Sequence, residues 1–322
     1  MTPSPMRQAV ALLVGLTLRH RGKVRDTYDL GNGRLLIVAT NAISIFDIVL
    51  NALIPEKGAV LTAMSHFWFK KLEGELEIKT HLVAAGAGID QYLPANLRNN
   101  RDLQSRAMVV RRLTMTPIEF VYRNCMTGSG YEEYLRTGKI AGVDLIKGLQ
   151  NGDRLPCIIF DPTTKEESGH DKRIDPNIVL ERYPEEVALG HRMFWFAMNY
   201  AQSRGILLAD SKLEIAGDTV GDEAFTPDSS RFWDLEEWFK GREAKDRKPP
   251  SPRDKQLIRD YGVMHGIDKL DPLIDEDLER AHGLVIPEEL IMNTARVYRD
   301  TFGQLTDMRL EEYQLTVMGI EE

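Results

Sequence analysis

Only two of the 322 residues are cysteine, Cys125 and Cys157. That is too few, at the wrong spacing, for a disulfide framework or a zinc knuckle, and it fits a reducing, cytoplasmic setting. Long apolar runs are missing too, since none reaches the roughly 20 residues that span a bilayer, so no membrane role is expected. Residues 9–16 resemble the apolar part of a signal peptide. No A-x-A-like site follows them, and Arg19, His20, Arg21 and Lys23 come next, so the stretch reads as a short amphipathic helix. Positive charge is not in excess: 41 Lys and Arg against 49 Asp and Glu leave a net charge of −8. This argues against a nucleic-acid coat or a polybasic membrane binder. There is no G-x-x-x-x-G-K-[ST] phosphate loop, no Ser/His/Asp signature, no internal repeat and no long low-complexity tract.

What remains is an ordinary globular composition, 43% hydrophobic and 28% charged, in a chain long enough for about two domains. From Gly22 the chain reads GKVRDTYDLGNGRLLIVATNAISIFD. Gly31-Asn32-Gly33 supplies positive φ for a hairpin, and residues 35–39 are apolar enough for a central strand. The spacing predicts a helix over 61–73, a strand over 108–113 and a domain boundary near Thr116-Pro117, giving parts 1–115 and 116–322. Residues 161–175 (DPTTKEESGHDKRID) read as a mobile loop and 241–253 as a charged, proline-bearing loop. Residues 184–204 carry Val187, His191, Phe194, Trp195, Met198 and Ala201 at helical steps. A strand is expected over 206–215 and a closing helix over 287–308.

Several stretches could carry chemistry. In the strand ILLADSKLEI, period two puts Asp210, Lys212 and Glu214 on one face, which is either a solvated sheet face or a phosphate and metal site. Downstream, DEAFTPDSSRFWD adds Asp222, Glu223, Asp228 and Arg231. A second acidic pair on a neighbouring strand would suit Mg²⁺, a hard cation that prefers carboxylates and water; the alternative is a turn with solvated acids. Lys23 and Arg25 share a face of the first hairpin and could hold a polyphosphate, although basic surface hairpins are common. In PIEFVYRNCMTGSG, a strand ends in a Thr-Gly-Ser-Gly turn before a helix expected over 131–136. That arrangement offers backbone N–H groups, Ser129 and Arg123 to an anion, or forms a simple capped turn. Cys125 reads as a small core residue, Trp68, Trp195 and Trp233 as packing residues, and His66 and His191 as structural.

Taken in order, GKVRDTYDL, IPEKGAVLT, PIEFVYRNCMTGSGYEEY, ADSKLEI, DEAFTPDSSRFWD and DKQLIRDYG (254–262) resemble the SAICAR synthetase (phosphoribosylaminoimidazole-succinocarboxamide synthase) family over nearly the whole chain. The resemblance implies an α+β fold in two parts, a small N-terminal antiparallel sheet over a larger ATP-grasp- or kinase-like domain. It implies ATP-dependent joining of L-aspartate to carboxyaminoimidazole ribonucleotide (CAIR) in purine biosynthesis, with Mg²⁺, small-molecule partners only, and a homo-oligomer as a possible assembly. On matching positions, Lys23 and Arg25 would contact ATP phosphates. Glu214 and Asp222 would hold Mg²⁺, and Asp210 and Lys212 would sit at the reacting groups beside the nucleotide. Arg123, Ser129 and Arg231 would grip the ribonucleotide phosphate. Asp228 would add a substrate contact, and the loop 165–171 would close with His170 and Asp171 over the substrate. Two departures stand out. The family usually reads D-R-I-S-x-[FY]-D, where this chain has Asn41 and Ala42, and D-x-K-x-E-x-G gains a residue before Gly217. These leave open an alternative, a divergent ATP-dependent ligase or small-molecule kinase with another substrate, and beyond it a nucleotide-binding regulator without catalysis.

Overall fold

The computed structural model describes residue 13 and residues 15–165, 172–243 and 249–321. Gly31, Asn32 and Gly33 all take positive φ, 73°, 49° and 70°, and so close the expected hairpin between β2 (Arg25–Gly31) and β3 (Arg34–Ala39), which follow β1 (Thr17–Arg21). Next come a small hairpin, β4 (Ala42–Ile45) and β5 (Ile48–Leu53), helix α1 (Lys57–Leu76), β6 (Lys79–Thr80), β7 (Leu82–Ala85), α2 (Arg101–Arg106) and β8 (Ala107–Arg111). The first sheet is antiparallel in the order β1-β2-β3-β8-β7. β3 is its middle strand, as its apolar run predicts, and Leu36 and Val38 are buried. Most of residues 9–16 lie outside the described residues, but Leu13 and Leu16 pack against the cluster under this sheet.

The second part runs through β9 (Ile118–Cys125), α3 (Gly128–Thr137), β10 (Lys139–Ile140), β11 (Val143–Asp144), β12 (Arg154–Phe160), β13 (Thr163–Thr164), α4 (Pro176–Arg182) and α5 (Pro184–Ser203). It continues with β14 (Ile206–Ala216), β15 (Thr219–Gly221), β16 (Ser230–Asp234), α6 (Leu235–Glu243), α7 (Gln256–Met264), α8 (Asp275–His282), α9 (Glu288–Thr306) and α10 (Leu310–Thr316). Its sheet follows β12-β9-β14-β15-β6, with β13 on β9 and β16 on β14. β6, just after α1, joins this second sheet by pairing parallel with β15, so the N-terminal segment supplies one of its edges.

Helix α1 starts before the expected residue 61 and is buried on most of its surface, including Trp68, Phe69 and Leu72. A helix apolar over so much of its circumference belongs inside a core. Its side chains join Phe120 and Tyr122 of β9, Phe194 of α5 and Phe302 of α9 in the largest hydrophobic cluster. His66 fits its structural reading. Its Nδ1 lies 3.0 Å from the Tyr313 hydroxyl, and burial lowers its pKa to about 4, which keeps it neutral. Cys125 is fully buried and Cys157 is an exposed free thiol.

Two expectations need correction. Trp195 is 55% exposed, not a packing residue. One step of about 100° along α5 carries the chain from buried Phe194 to its outer face, and a periodic pattern that tolerates both three- and four-residue steps does not separate them. The helix expected over 287–308 does not close the chain either, because α10 follows it and sends Tyr313 back onto His66. Among the described residues, no helix is long and apolar enough to cross a membrane.

Candidate active site on strand β14

β14 is the spine of the site, because its partners bring charged side chains from elsewhere in the chain onto it. Arg123 on β9 and Arg231 on β16 both stand opposite Asp210, and Gly221 at the end of β15 stands opposite Glu214. The extra residue before Gly217 is absorbed in the β14–β15 turn, where Ala216 pairs with Thr219, so Asp222 still follows directly beside Glu214.

At the Asp210 end, one carboxylate is shared by two guanidinium groups. Arg123 donates to Asp210 at 2.9 Å, to Asp161 at 2.7 Å and to the Ser129 hydroxyl at 3.1 Å, and Arg231 donates to Asp210 at 2.5 Å. Burial works against the charge on Arg231, but Asp210 and Asp254 outweigh it and raise its pKa. The glycines of the TGSG turn make this approach possible. A Cβ on Gly128, whose φ is 54°, would lie 2.6 Å from Arg231 Nη2, and one on Gly130 would lie 3.1 Å from Arg123 Nε. Helix α3 begins at Gly128, earlier than expected, so its N-terminal N–H groups open beside both arginines. Backbone donors, a hydroxyl and two guanidinium groups together suit a phosphate.

The Glu214 end holds carboxylates close together. Burial and the facing Asp222 push the Glu214 carboxyl up to about 7, against the opposing pull of Lys165 and Lys212. Asp222 moves the other way. Its burial is outweighed by Arg25, which donates to it at 2.7 Å and reaches Glu223 at 2.8 Å. Lys165 pairs with Glu214 and Lys212 with Glu119. Burial opposes the Lys212 charge, but Glu119 and Glu214 overcome it and hold Lys212 firmly as an ammonium. Lys23 is placed differently from Arg25: it pairs with Asp47 in the β4–β5 turn and stays half-exposed.

Hard carboxylate oxygens at Glu214 and Asp222 match what Mg²⁺ takes. Among the described residues no group of three or more His, Cys, Asp or Glu gathers to hold a metal. An ion that keeps several waters and binds one or two carboxylates plus substrate phosphates needs no larger cage.

Between the two ends, Lys57 at the start of α1 is completely buried and donates to Asp228 at 2.7 Å, while the Tyr298 hydroxyl donates to the other Asp228 oxygen at 2.7 Å. Burial raises the proton affinity of Asp228, but Lys57 and Lys255 more than reverse this and hold it well below the usual carboxylate range. Asn41 also finds a role: its side-chain oxygen accepts from the Gly58 N–H at 2.9 Å and fixes the start of α1. An aspartate would supply the same acceptor, so this departure preserves the local contact.

The expected residues Arg25, Arg123, Ser129, Asp210, Lys212, Glu214, Asp222, Asp228 and Arg231 therefore line one continuous seam. His170 and Asp171 lie outside the described residues. Sequence reading missed Lys57, Glu119, Asp161 and Tyr298. For Lys57 and Glu119 a signal existed: each is a charge next to buried apolar positions, which only a partner makes tolerable.

Comparison with known proteins agrees with this layout. The model of the SAICAR synthetase family matches residues 18–269. The phosphoribosylaminoimidazole-succinocarboxamide synthase of Thioalkalivibrio sulfidiphilus is 39% identical over 308 residues, covering 91% of this chain and 96% of the relative. That of Xylella fastidiosa is 38% identical over 320 residues, covering 93% and 97%. The solved SAICAR synthase of Saccharomyces cerevisiae, complexed with SAICAR, superposes with a TM-score of 0.76 at 32% identity, covering 92% of this chain and 97% of that one.

Proposed function

The chain belongs to the SAICAR synthetase family, and from that premise we propose that it condenses L-aspartate with CAIR at the expense of ATP, giving SAICAR, ADP and phosphate. The observation that carries this reading is the family match over most of the chain. The opposite charge of the two ends of β14, one suited to a phosphate and the other to a cation, supports it.

A carboxylate is a poor acylating agent because its leaving group would be oxide. Transfer of the γ-phosphoryl group to the CAIR carboxylate makes an acyl phosphate and releases ADP. The aspartate amine then attacks the carbonyl carbon, gives up a proton, and expels phosphate as the amide forms. Most of the protein's work is positioning and neutralising charge. In this reading the nucleotide lies between parts 1–115 and 116–322, with Lys23 and Arg25 on its phosphates. Arg123, Ser129 and Arg231 anchor the ribonucleotide phosphate, and Asp210 holds the two guanidinium groups at the angle the phosphate needs. Lys212, kept protonated by Glu119, gives positive charge to the moving phosphoryl group and does not act as a base. Asp228 faces the substrate, braced by Lys57 and Tyr298, and His170 and Asp171 contribute from the loop. Glu214 and Asp222 would hold Mg²⁺, which neutralises phosphate charge when bound.

The test is ADP release with Mg·ATP, CAIR and aspartate, omitting each in turn. Strict dependence on all three is expected. Lys212→Ala should lower turnover by about 10²–10³-fold, as loss of a charge-stabilising donor does, with the circular-dichroism spectrum and melting temperature retained. ADP release that needs neither CAIR nor aspartate would refute the reading.

A further inference from the structure

Lys165 stands at the acidic end of β14 and has no part in the chemistry given so far. Strand β13 pairs with β9, Thr163 opposite Glu119 and Thr164 opposite Ile118, and the Lys165 N–H then donates to the Pro117 carbonyl at 3.4 Å. β9 in turn lies against β14. The backbone of Lys165 is thereby anchored on the far side of β9, and its long side chain reaches past that strand to set the ammonium on a Glu214 oxygen.

The cations around Glu214 and Asp222 are not held alike. Arg25 is forked between Asp222 and Glu223, and Lys212 is turned to Glu119. Lys165 makes its ion pair with Glu214 itself, so it contends for the very oxygens a metal would take. Its charge also reaches the facing carboxylate. After burial and Asp222, which raise Glu214, Lys165 is the strongest influence pulling it back; on Asp222, Lys165 follows burial and Arg25. An ammonium felt by both acids occupies the ground between them. It can also leave, because the Lys165 side chain is 40% exposed while that of Glu214 is 9% exposed. Charge balance favours its leaving. Among the described residues that meet here, the acids Glu119, Glu214, Asp222 and Glu223 outnumber the cations Arg25, Lys165 and Lys212 by one. A divalent ion added to all of them would overshoot neutrality, whereas the same ion in place of Lys165 meets it, and buried charge is tolerated only when balanced.

We propose that Lys165 is the resident counter-ion of the metal position, and that a divalent cation binds Glu214 and Asp222 by exchange with the Lys165 ammonium, which withdraws to water. The exchange holds down the affinity of the ligand-free protein for the bare metal. This rests on the ligase reading in so far as that reading places Mg²⁺ on these two carboxylates.

The test needs no turnover. Mn²⁺, a hard cation with the same taste for carboxylates and water, is titrated into the nucleotide-free protein at pH 8, and the electron paramagnetic resonance signal of the free ion gives the affinity. Lys165→Met should bind it about tenfold more tightly than the wild type, the charge-keeping Lys165→Arg within about threefold of the wild type, and Glu214→Gln should lose the binding. Removing any nearby positive charge helps a cation to some degree, so a second readout follows the ammonium itself. In a brief pulse of acetic anhydride read by peptide mass spectrometry, Lys165 should be labelled about fivefold faster with saturating Mn²⁺ than without it, while the exposed Lys70, paired with Glu73 on α1, keeps its rate. Labelling of Lys165 that stays level or falls on adding metal would overturn the proposal, as would a Lys165→Met variant that binds Mn²⁺ no better than the wild type. Mn²⁺ binding lost in Glu214→Gln but indifferent to Lys165 would overturn the exchange and leave the metal assignment standing. Binding that survives in Glu214→Gln would remove the metal assignment itself, and the exchange with it.

Discussion

At one end of β14 a single carboxylate, Asp210, is shared by Arg123 and Arg231; at the other, Glu214 and Asp222 face each other with Arg25, Lys165 and Lys212 around them. The first end keeps like-charged guanidinium groups together on Asp210, with Asp161 and a serine hydroxyl also on Arg123, and it opens onto the first turn of α3, which suits an anion. The second keeps like-charged carboxylates together, and the raised proton affinity of Glu214 records a spare capacity for a cation. One strand thus presents two oppositely unbalanced sites, and the sign of each imbalance points to the sign of the ligand it receives. Lys57 and Asp228 lie between them as a balanced pair with almost no exposure. The contrast predicts that damage at each place should show up in a different measurement.

The largest effect is expected in the middle. Lys57→Met leaves Asp228 buried without its cation and should destabilise the protein by about 3–5 kcal/mol in urea unfolding at pH 8. The sign with pH follows from Asp228. Its folded pKa is depressed, so its contribution is present above the ordinary Asp value and is lost as pH falls. The gap between wild type and Lys57→Met should therefore narrow as pH is taken below the ordinary Asp value of about 4. A constant gap would mean that lost packing, not the unpaired charge, dominates.

Next in size is a break confined to the anion end. Gly128→Ala puts a Cβ 2.6 Å from Arg231 Nη2 at a φ of 54°, a conformation that costs a non-glycine residue roughly 1–3 kcal/mol in strained settings. KM for CAIR should rise about tenfold while KM for ATP stays put. Equal increases in both constants would show that the two ends do not act separately.

How much of this could be read from residues alone depended on how local the signal was. The β2–β3 turn, the Asp210-Lys212-Glu214 face and the TGSG turn are each coded within a few neighbouring residues, by backbone conformation or by period two. Lys57 and Asp228 are 171 positions apart, and Glu119 and Lys212 are 93 apart. No local pattern joins such partners; only the sheet order that sets β9 against β14 does so. Trp195 misled for the opposite reason, since its local pattern is real but α5 buries only one stripe, against β14 and β9. The charged residues of DKQLIRDYG were visible in the sequence, but that Asp254 fastens the start of α7 to the Phe232 N–H of β16 is a fact of packing.

The smallest and most informative change is Glu214→Gln at the cation end. The folded pKa of Glu214, about 7, lies above the ordinary glutamate value of 4.5. A carboxyl raised in this way adds to stability at low pH and loses that contribution as pH climbs through its folded value, because the folded protein must then give up a proton that it binds more tightly than the unfolded chain does. Glutamine removes this penalty and forfeits the ion pair with Lys165, so the net gain for the ligand-free protein at pH 8 should be on the order of 1 kcal/mol, shrinking to nothing or reversing by pH 5. Turnover should collapse in the same variant, and added Mg²⁺ should stabilise the wild type against heat but not Glu214→Gln. Stability won at the price of activity would mark this end of β14 as built for a cation, whereas a variant less stable at pH 8 would mean that Lys165 and Lys212 already satisfy Glu214 and that the imbalance lies elsewhere.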